Sequence, residues 1–170
     1  MKGWIFTAAI LFGFTASLLG QRFAYVDVDR ILNRIPDYQN AQKELDKVAD
    51  EWRQLIAQRY DEIKGMYNRY QAEQVLMSES ARKQREEEIV AKEAEVRELQ
   101  RQKFGPEGEL FTRRQDLVKP IQERVYKAIE DYATQRSYDF ILDRSTLGGI
   151  LYSNPRYDVT EDIMRRLGID

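Results

Sequence analysis

The chain of 170 residues contains no cysteine and no histidine. Thiolate and imidazole are the ordinary donors for zinc, haem and iron–sulfur clusters, so those cofactors have no usual ligands here. The same absences exclude a Ser-His or Cys-His nucleophilic pair. No Walker-type phosphate loop and no Gly-x-Gly-x-x-Gly turn occurs. Carboxylates could still hold Mg²⁺ or Ca²⁺, but no loop has EF-hand spacing. Glu86 and Glu87 are paired acids, yet adjacent helical residues do not face each other. No cofactor and no catalysis is therefore expected. Proline (4) and glycine (9) are scarce, which leaves long stretches free to be helical.

What is present is charge. A third of the residues (33%) are charged, and the signs nearly cancel, with a net charge of −2. Long stretches of Ala, Glu, Lys, Leu, Arg and Gln are the composition of extended helices. Net acidity argues against nucleic acid as a partner.

The N-terminus carries an address. Lys2 precedes an apolar run from Trp4 to Leu19, followed by Gly20-Gln21-Arg22. This reads as a secretory signal peptide over residues 1–20, with cleavage after Gly20 or after Ser17. An uncleaved anchor is the alternative, but the run falls short of the ~20 residues that a span needs. Cleavage after Gly20 leaves 27 Lys and Arg less Lys2 against 29 Asp and Glu, a net charge of −3.

The mature chain reads as strand, long helix out, long helix back, two strands and a short helix. Residues 21–36 hold the first strand, Phe23 to Val28, and a helical turn from Asp29 to Ile35. Pro36 interrupts, and Asp37 is placed to cap the next helix. Residues 37–137 form a helical arm. Its outgoing stripe is Tyr38, Ala41, Leu45, Val48, Trp52, Ile56, Tyr60, Ile63, Tyr67 and Tyr70. Steps of three and four alternate as in a coiled-coil seam. The run of fours through Trp52 and Ile56 is a stutter, which locally unwinds a supercoil.

The arm's tip falls at 76–80, where Ser78 is placed to cap the returning helix. That helix has a thin seam of Ile89, Val96 and Leu99, with Ala81, Ala91 and Ala94. Gly105, Pro106 and Gly108 break it, and Pro120 predicts a kink near Lys119. Residues 138–170 hold strands at Tyr138–Leu142 and Gly148–Tyr152. Asp158 and Glu161 resemble a capping box for a last helix that stops at Gly168. A three-stranded body this small is expected to oligomerise.

The layout resembles the Skp/OmpH family of periplasmic chaperones from about Phe23 to Leu167. The carrying features are the strand Phe23-Ala-Tyr-Val-Asp-Val28 after a signal peptide and the charged helical hairpin. With them go Leu117-Val-Lys-Pro-Ile-Gln-Glu-Arg-Val-Tyr-Lys-Ala-Ile129 and Tyr138-Asp-Phe-Ile-Leu-Asp143, followed by Gly149-Ile-Leu-Tyr152. The resemblance implies an α+β, mostly α fold and a jellyfish-like homotrimer. A strand body would carry three hairpin tentacles around a cavity. It also implies an ATP-independent holdase in the periplasm that binds unfolded outer-membrane proteins, with no catalytic residues. This chain departs from the basic members of that family. Its tip holds Arg69, Arg82, Lys83 and Arg85 against Glu73, Glu79, Glu86, Glu87 and Glu88, which argues against lipopolysaccharide or an anionic membrane surface as a partner.

Three groups of residues become candidates. Trp52, Tyr60, Met66, Tyr67 and Tyr70 are client-contacting candidates, because aromatic rings and Met suit varied, transient partners. The competing reading places the stripe residues among them in an ordinary coiled-coil seam. Gly105, Pro106, Gly108 and Pro120 are hinge candidates, against a static kink. Tyr25, Val26, Phe140, Ile141, Leu142, Ile150 and Leu151 are candidates for the core of the trimeric body. The rival to the chaperone reading as a whole is a structural coiled-coil scaffold of the cell envelope.

Overall fold

Proline and capping residues set the first elements. The computed structural model describes residues 21–146, 148 and 150–169, so the leader segment lies outside the described residues. Strand β1 (Phe23–Val26) leads into helix α1 (Val28–Arg34), whose Asp27 cap accepts from the Arg30 N–H at 2.9 Å. The residue before a proline is driven out of the helical region. Ile35 accordingly sits at φ −78°, ψ 119°, ending α1. Pro36 then occupies the first turn of α2 (Pro36–Glu73), where its missing N–H costs nothing.

Asp37 does not cap α2, because Pro36 moves the start one residue earlier and Ile35 takes the cap position. Asp37 lies in the first turn instead and pairs with Arg124 at 3.2 Å. The pair ties the outgoing helix to the returning one at the base of the arm.

A 3₁₀ turn, Gln74–Leu76, ends the outward run. Ser78 accepts from the Ala81 N–H at 3.3 Å and starts α3 (Glu79–Phe104), as its sequence position predicts. After the break, α4 (Glu109–Arg136) returns to the body. Pro120 does not interrupt α4; Val118 and Ile121 beside it are both buried. Ser137 ends α4 in the left-handed region at φ 53°.

Strand β2 (Phe140–Asp143) then lies parallel to β1, with Phe23 opposite Phe140 and Val26 opposite Asp143. Parallel neighbours need a crossover connection. Here the crossover is the arm itself: Arg22 and Asp139, hydrogen-bonded at 2.7 Å, lie 117 positions apart.

The expected third strand is not formed. Among the described residues the sheet has two strands, and 148 and 150–152 join no ladder. The edge of β1 away from β2 is engaged instead by Asp158, bridged to Tyr25. Helix α5 (Thr160–Leu167) closes the body and stops at Gly168, φ 72°. The capping box does not form, because Val159 takes the cap position of α5 with no side-chain cap bond. Asp158 accepts from the Thr160 N–H at 2.9 Å, but Glu161 turns to Arg30. Thr160, fully buried, also accepts from the Asp27 N–H at 3.0 Å and so joins α5 to α1.

Two separate cores result. The proximal one joins β1, α1, α5 and the bases of α2 and α4 around Ile31, Val125 and Ile163, each fully buried. The distal one is thin: Ile56, Ile63, Ile89 and Val96, flanked by Met66, Tyr70, Leu99 and Phe104. Two details differ from the helical spacing. Ala49 rather than Val48 is buried, and Ala91 and Ala94 are not among the buried residues.

At the base, the Tyr132 hydroxyl donates to Asp162 at 2.5 Å and docks α5 on α4. Burial first, then that carboxylate, pushes Tyr132 up to about 12; Tyr138 adds to the rise and Arg136 opposes it. The folded chain therefore favours the neutral phenol. That contribution is fully present below pH 10 and lost as pH rises toward 12.

Three substitutions probe this packing. Ile163→Ala is expected to lower global stability by ~2–5 kcal/mol in urea unfolding. Ile63→Ala is expected to speed amide exchange in distal α2 and α3 while leaving α4 and α5 protected; uniform loss of protection would contradict two cores. Tyr132→Phe is expected to cost about 1 kcal/mol at neutral pH. The gap from wild type should narrow as pH climbs past 10, and a constant gap would refute the upward shift of the Tyr132 phenol.

Candidate functional site

No described group of three or more His, Cys, Asp or Glu residues could hold a metal ion. The candidate sites are surfaces, and three regions of the molecule supply them.

The first is the arm. Of the client-contacting candidates on α2, Tyr60 and Tyr67 are turned out to solvent, whereas Met66 and Tyr70 pack against the distal core. The Tyr70 hydroxyl donates to Glu86 of α3, and that hydrogen bond raises its pKa. Tyr60 borders a groove of about 360 Å³, lined by Arg53, Ile56, Ala57, Gln100 and Phe104. Two further exposed aromatics, Phe111 and Tyr126, lie on α4. At the tip, Val75 is 80% exposed and Leu76 88% exposed. Sequence reading missed these four. Val75 and Leu76 were visible as adjacent aliphatics beside the Ser78 cap. Phe111 and Tyr126 lie on α4 off its buried stripe of Val118, Ile121, Val125, Ala128 and Tyr132.

The second is the break. Gly105 ends α3 and Gly108 caps α4, and the Gly108 N–H donates to the Gly105 carbonyl at 2.9 Å. A Cβ on Gly105 would stand 2.4 Å from the Arg101 carbonyl oxygen, and one on Gly108 would stand 2.8 Å from that of Gln102. Close backbone approach thus requires both glycines. Trp52 of α2 lies at this level, half-buried, edge-on to Phe104 with ring centroids 6.0 Å apart. The Lys103 ammonium sits 4.8 Å from the centre of the Trp52 ring and pairs with Glu109 across the break. Pro120, the fourth hinge candidate, is remote from this cluster within α4.

The third is the body. Tyr25 and Val26 are buried and Ile141 is partly buried against the proximal core. Phe140 and Leu142 point outward. Phe140 stacks on Phe23 at 5.4 Å, and both rings remain exposed. Ile150 is exposed, and Leu151 is fully so, at 101%. Asp143 holds the end of β2: its carboxylate accepts from Ser145 N–H at 3.0 Å and Val28 N–H at 3.3 Å. Burial pushes its pKa up, but the Ser145 hydroxyl, these two N–H groups and the Thr146 hydroxyl together outweigh it and hold the carboxyl below its ordinary value.

Comparison with known proteins places this architecture. The model of the family described as "Outer membrane protein (OmpH-like)" matches residues 22–167. The chain is 23% identical to the chaperone protein Skp of Yersinia enterocolitica, over 98% of this chain and 99% of that one. Its fold is similar to a crystal structure from Caulobacter crescentus described as an OmpH-like outer membrane chaperone. The TM-score is 0.67 at 12% identity, covering 86% of this chain and 83% of that one. The family match spans β1 to α5, so the hairpin arm and the two-stranded body that carries it are parts of one unit, and the chain belongs to the OmpH-like outer membrane protein family.

Proposed function

We propose that this chain is an ATP-independent holdase of the periplasm, exported by its N-terminal segment, that keeps unfolded outer-membrane proteins from aggregating. The observation that carries the reading is the arm: a long hairpin with a thin core that leaves large apolar side chains in solvent along its length. Tyr60, Tyr67, Phe111 and Tyr126 line it, and Val75 and Leu76 cap it. Exposed large apolar side chains that recur along one long arm offer separate contact points to the apolar segments of a partner. Unfolded barrel proteins expose strand edges and alternating apolar side chains that would otherwise pair with one another. Many weak contacts with an arm hold such segments without fixing one structure, and confinement raises the effective concentration. Family membership and the Skp relative support the same role. No catalytic step is assigned to any residue.

The working unit in this proposal is a homotrimer assembled through the body. The outer edge of β2 carries no ladder among the described residues, and Phe23, Phe140 and Leu142 are exposed beside it. The extended segment around Leu151 and Tyr152 joins no strand among the described residues. A neighbouring copy would supply one, covering an edge that is otherwise a liability. Mixed charge at the tip gives no basis for attraction to lipopolysaccharide or an anionic surface.

The holdase reading is tested by diluting an unfolded outer-membrane barrel protein into buffer with the mature chain and recording light scattering. Suppression is expected at a threefold molar excess, and none would sink the proposal. Changing Tyr60, Tyr67 and Phe111 together to Ser should weaken suppression severalfold without altering helix content. For the trimer, sedimentation of the free chain should give three copies, and Phe140→Glu should shift it to monomer. A monomeric wild type at micromolar concentration would contradict this assembly.

A further inference from the structure

We infer that Trp52, Phe104 and Lys103 form a latch that fixes the angle between the two halves of the arm. Releasing it lets the distal hairpin swing about α2. The two halves have separate cores, one reaching Leu45 on α2 and the other beginning at Ile56. Across that interval the returning chain is broken at Gly105–Gly108, while α2 continues without interruption. A single helix and a short turn would make a weak joint by themselves.

The latch supplies what they lack. Trp52 comes from α2, Phe104 and Lys103 from the last turn of α3, and Glu109 from the first turn of α4. Phe104 meets Trp52 edge-on, the favoured geometry for two rings. Lys103 lies against the Trp52 ring while its ammonium pairs with Glu109, and its side chain is only 18% exposed. A cation over an indole face is attracted to it, more strongly when partly desolvated. Arg113 of α4 also lies 5.9 Å from the centre of the Trp52 ring. One indole of α2 therefore gathers groups from α3 and α4 at the level where the seam stutters.

The lever is long. About 24 residues beyond Trp52 at ~1.5 Å each put the tip roughly 36 Å away, so a bend of ~10° moves it about 6 Å. A contact that can open at the joint would thus adjust the reach of the arm with no change in either half.

The full chain lacks cysteine, so spin labels can be placed at will. Electron–electron distance measurement between labels at Leu76→Cys and Gln115→Cys reads across the joint. A pair at Lys64→Cys and Glu88→Cys reads within the distal hairpin. Labelled chains are diluted in excess unlabelled chain so that only distances within one chain count. The wild type should give one narrow distribution across the joint. Trp52→Ala should at least double its width while the distal pair and the circular dichroism stay unchanged. Equal widths in the two proteins would overturn the latch. If the distal pair also broadens in Trp52→Ala, Lys103→Gln decides, since it keeps the ring pair and removes the cation. Broadening across the joint then supports the latch, and an unchanged width overturns it.

Discussion

The architecture depends on the parallel pairing of β1 with β2. Phe23 to Val26 align with Phe140 to Asp143, so the chain must leave the body and return to it before β2 can form. α2 takes the outward leg, and α3 and α4 together take the return. Helices rise ~1.5 Å per residue, so long helices carry the chain far from the body while satisfying their own backbone hydrogen bonds. The strands are short, with four residues each. Their pairing is held from the sides, by Asp143 accepting from Val28 and by Thr160 linking α1 to α5.

That constraint separates two kinds of packing. The body and the base of the arm share a core with several fully buried side chains, and buried apolar area is the main source of stability. The outer arm has little apolar surface left to bury, and much of what it has remains in solvent. Its many intrahelical ion pairs are exposed and contribute little to folding. Low local stability and exposed apolar groups are the properties that a surface for unfolded, variable partners requires. The junction between the two regimes is where the seam stutters in α2 and the return leg breaks.

Much of this was legible in the residues. Pro36, Ser78, the Gly105–Gly108 cluster and Gly168 mark helix ends because each imposes a local conformation that needs no tertiary information. The alternation of threes and fours placed Ala41, Leu45, Ile56 and Ile63 in the seam, where they are buried. Less local facts were hidden. The strand reading located β1 and β2 but carried nothing about their parallel order, which depends on contacts across the whole arm. Gly148–Tyr152 has the apolar character of a strand, but strand character does not name a partner, and 148 and 150–152 join no ladder. Asp37 has the chemistry of a cap, yet the proline beside it starts the helix earlier. Trp52 stands on the stripe, whereas Lys103 and Phe104 adjoin the break and carry no seam signal of their own. Their partnership with Trp52 arises only when the return leg comes alongside α2.

The chain therefore combines a firm base, an arm with a thin core and, among the described residues, a sheet edge that carries no ladder. Assembly through the edge and capture along the arms are one proposal in two parts, since arms enclose a client only when the bodies are joined. The most direct measurement is the mass, under native spray conditions, of the species formed with an unfolded outer-membrane barrel protein. Capture by a joined trimer predicts three copies of this chain with one client. A one-to-one complex, or no complex at all, would contradict it.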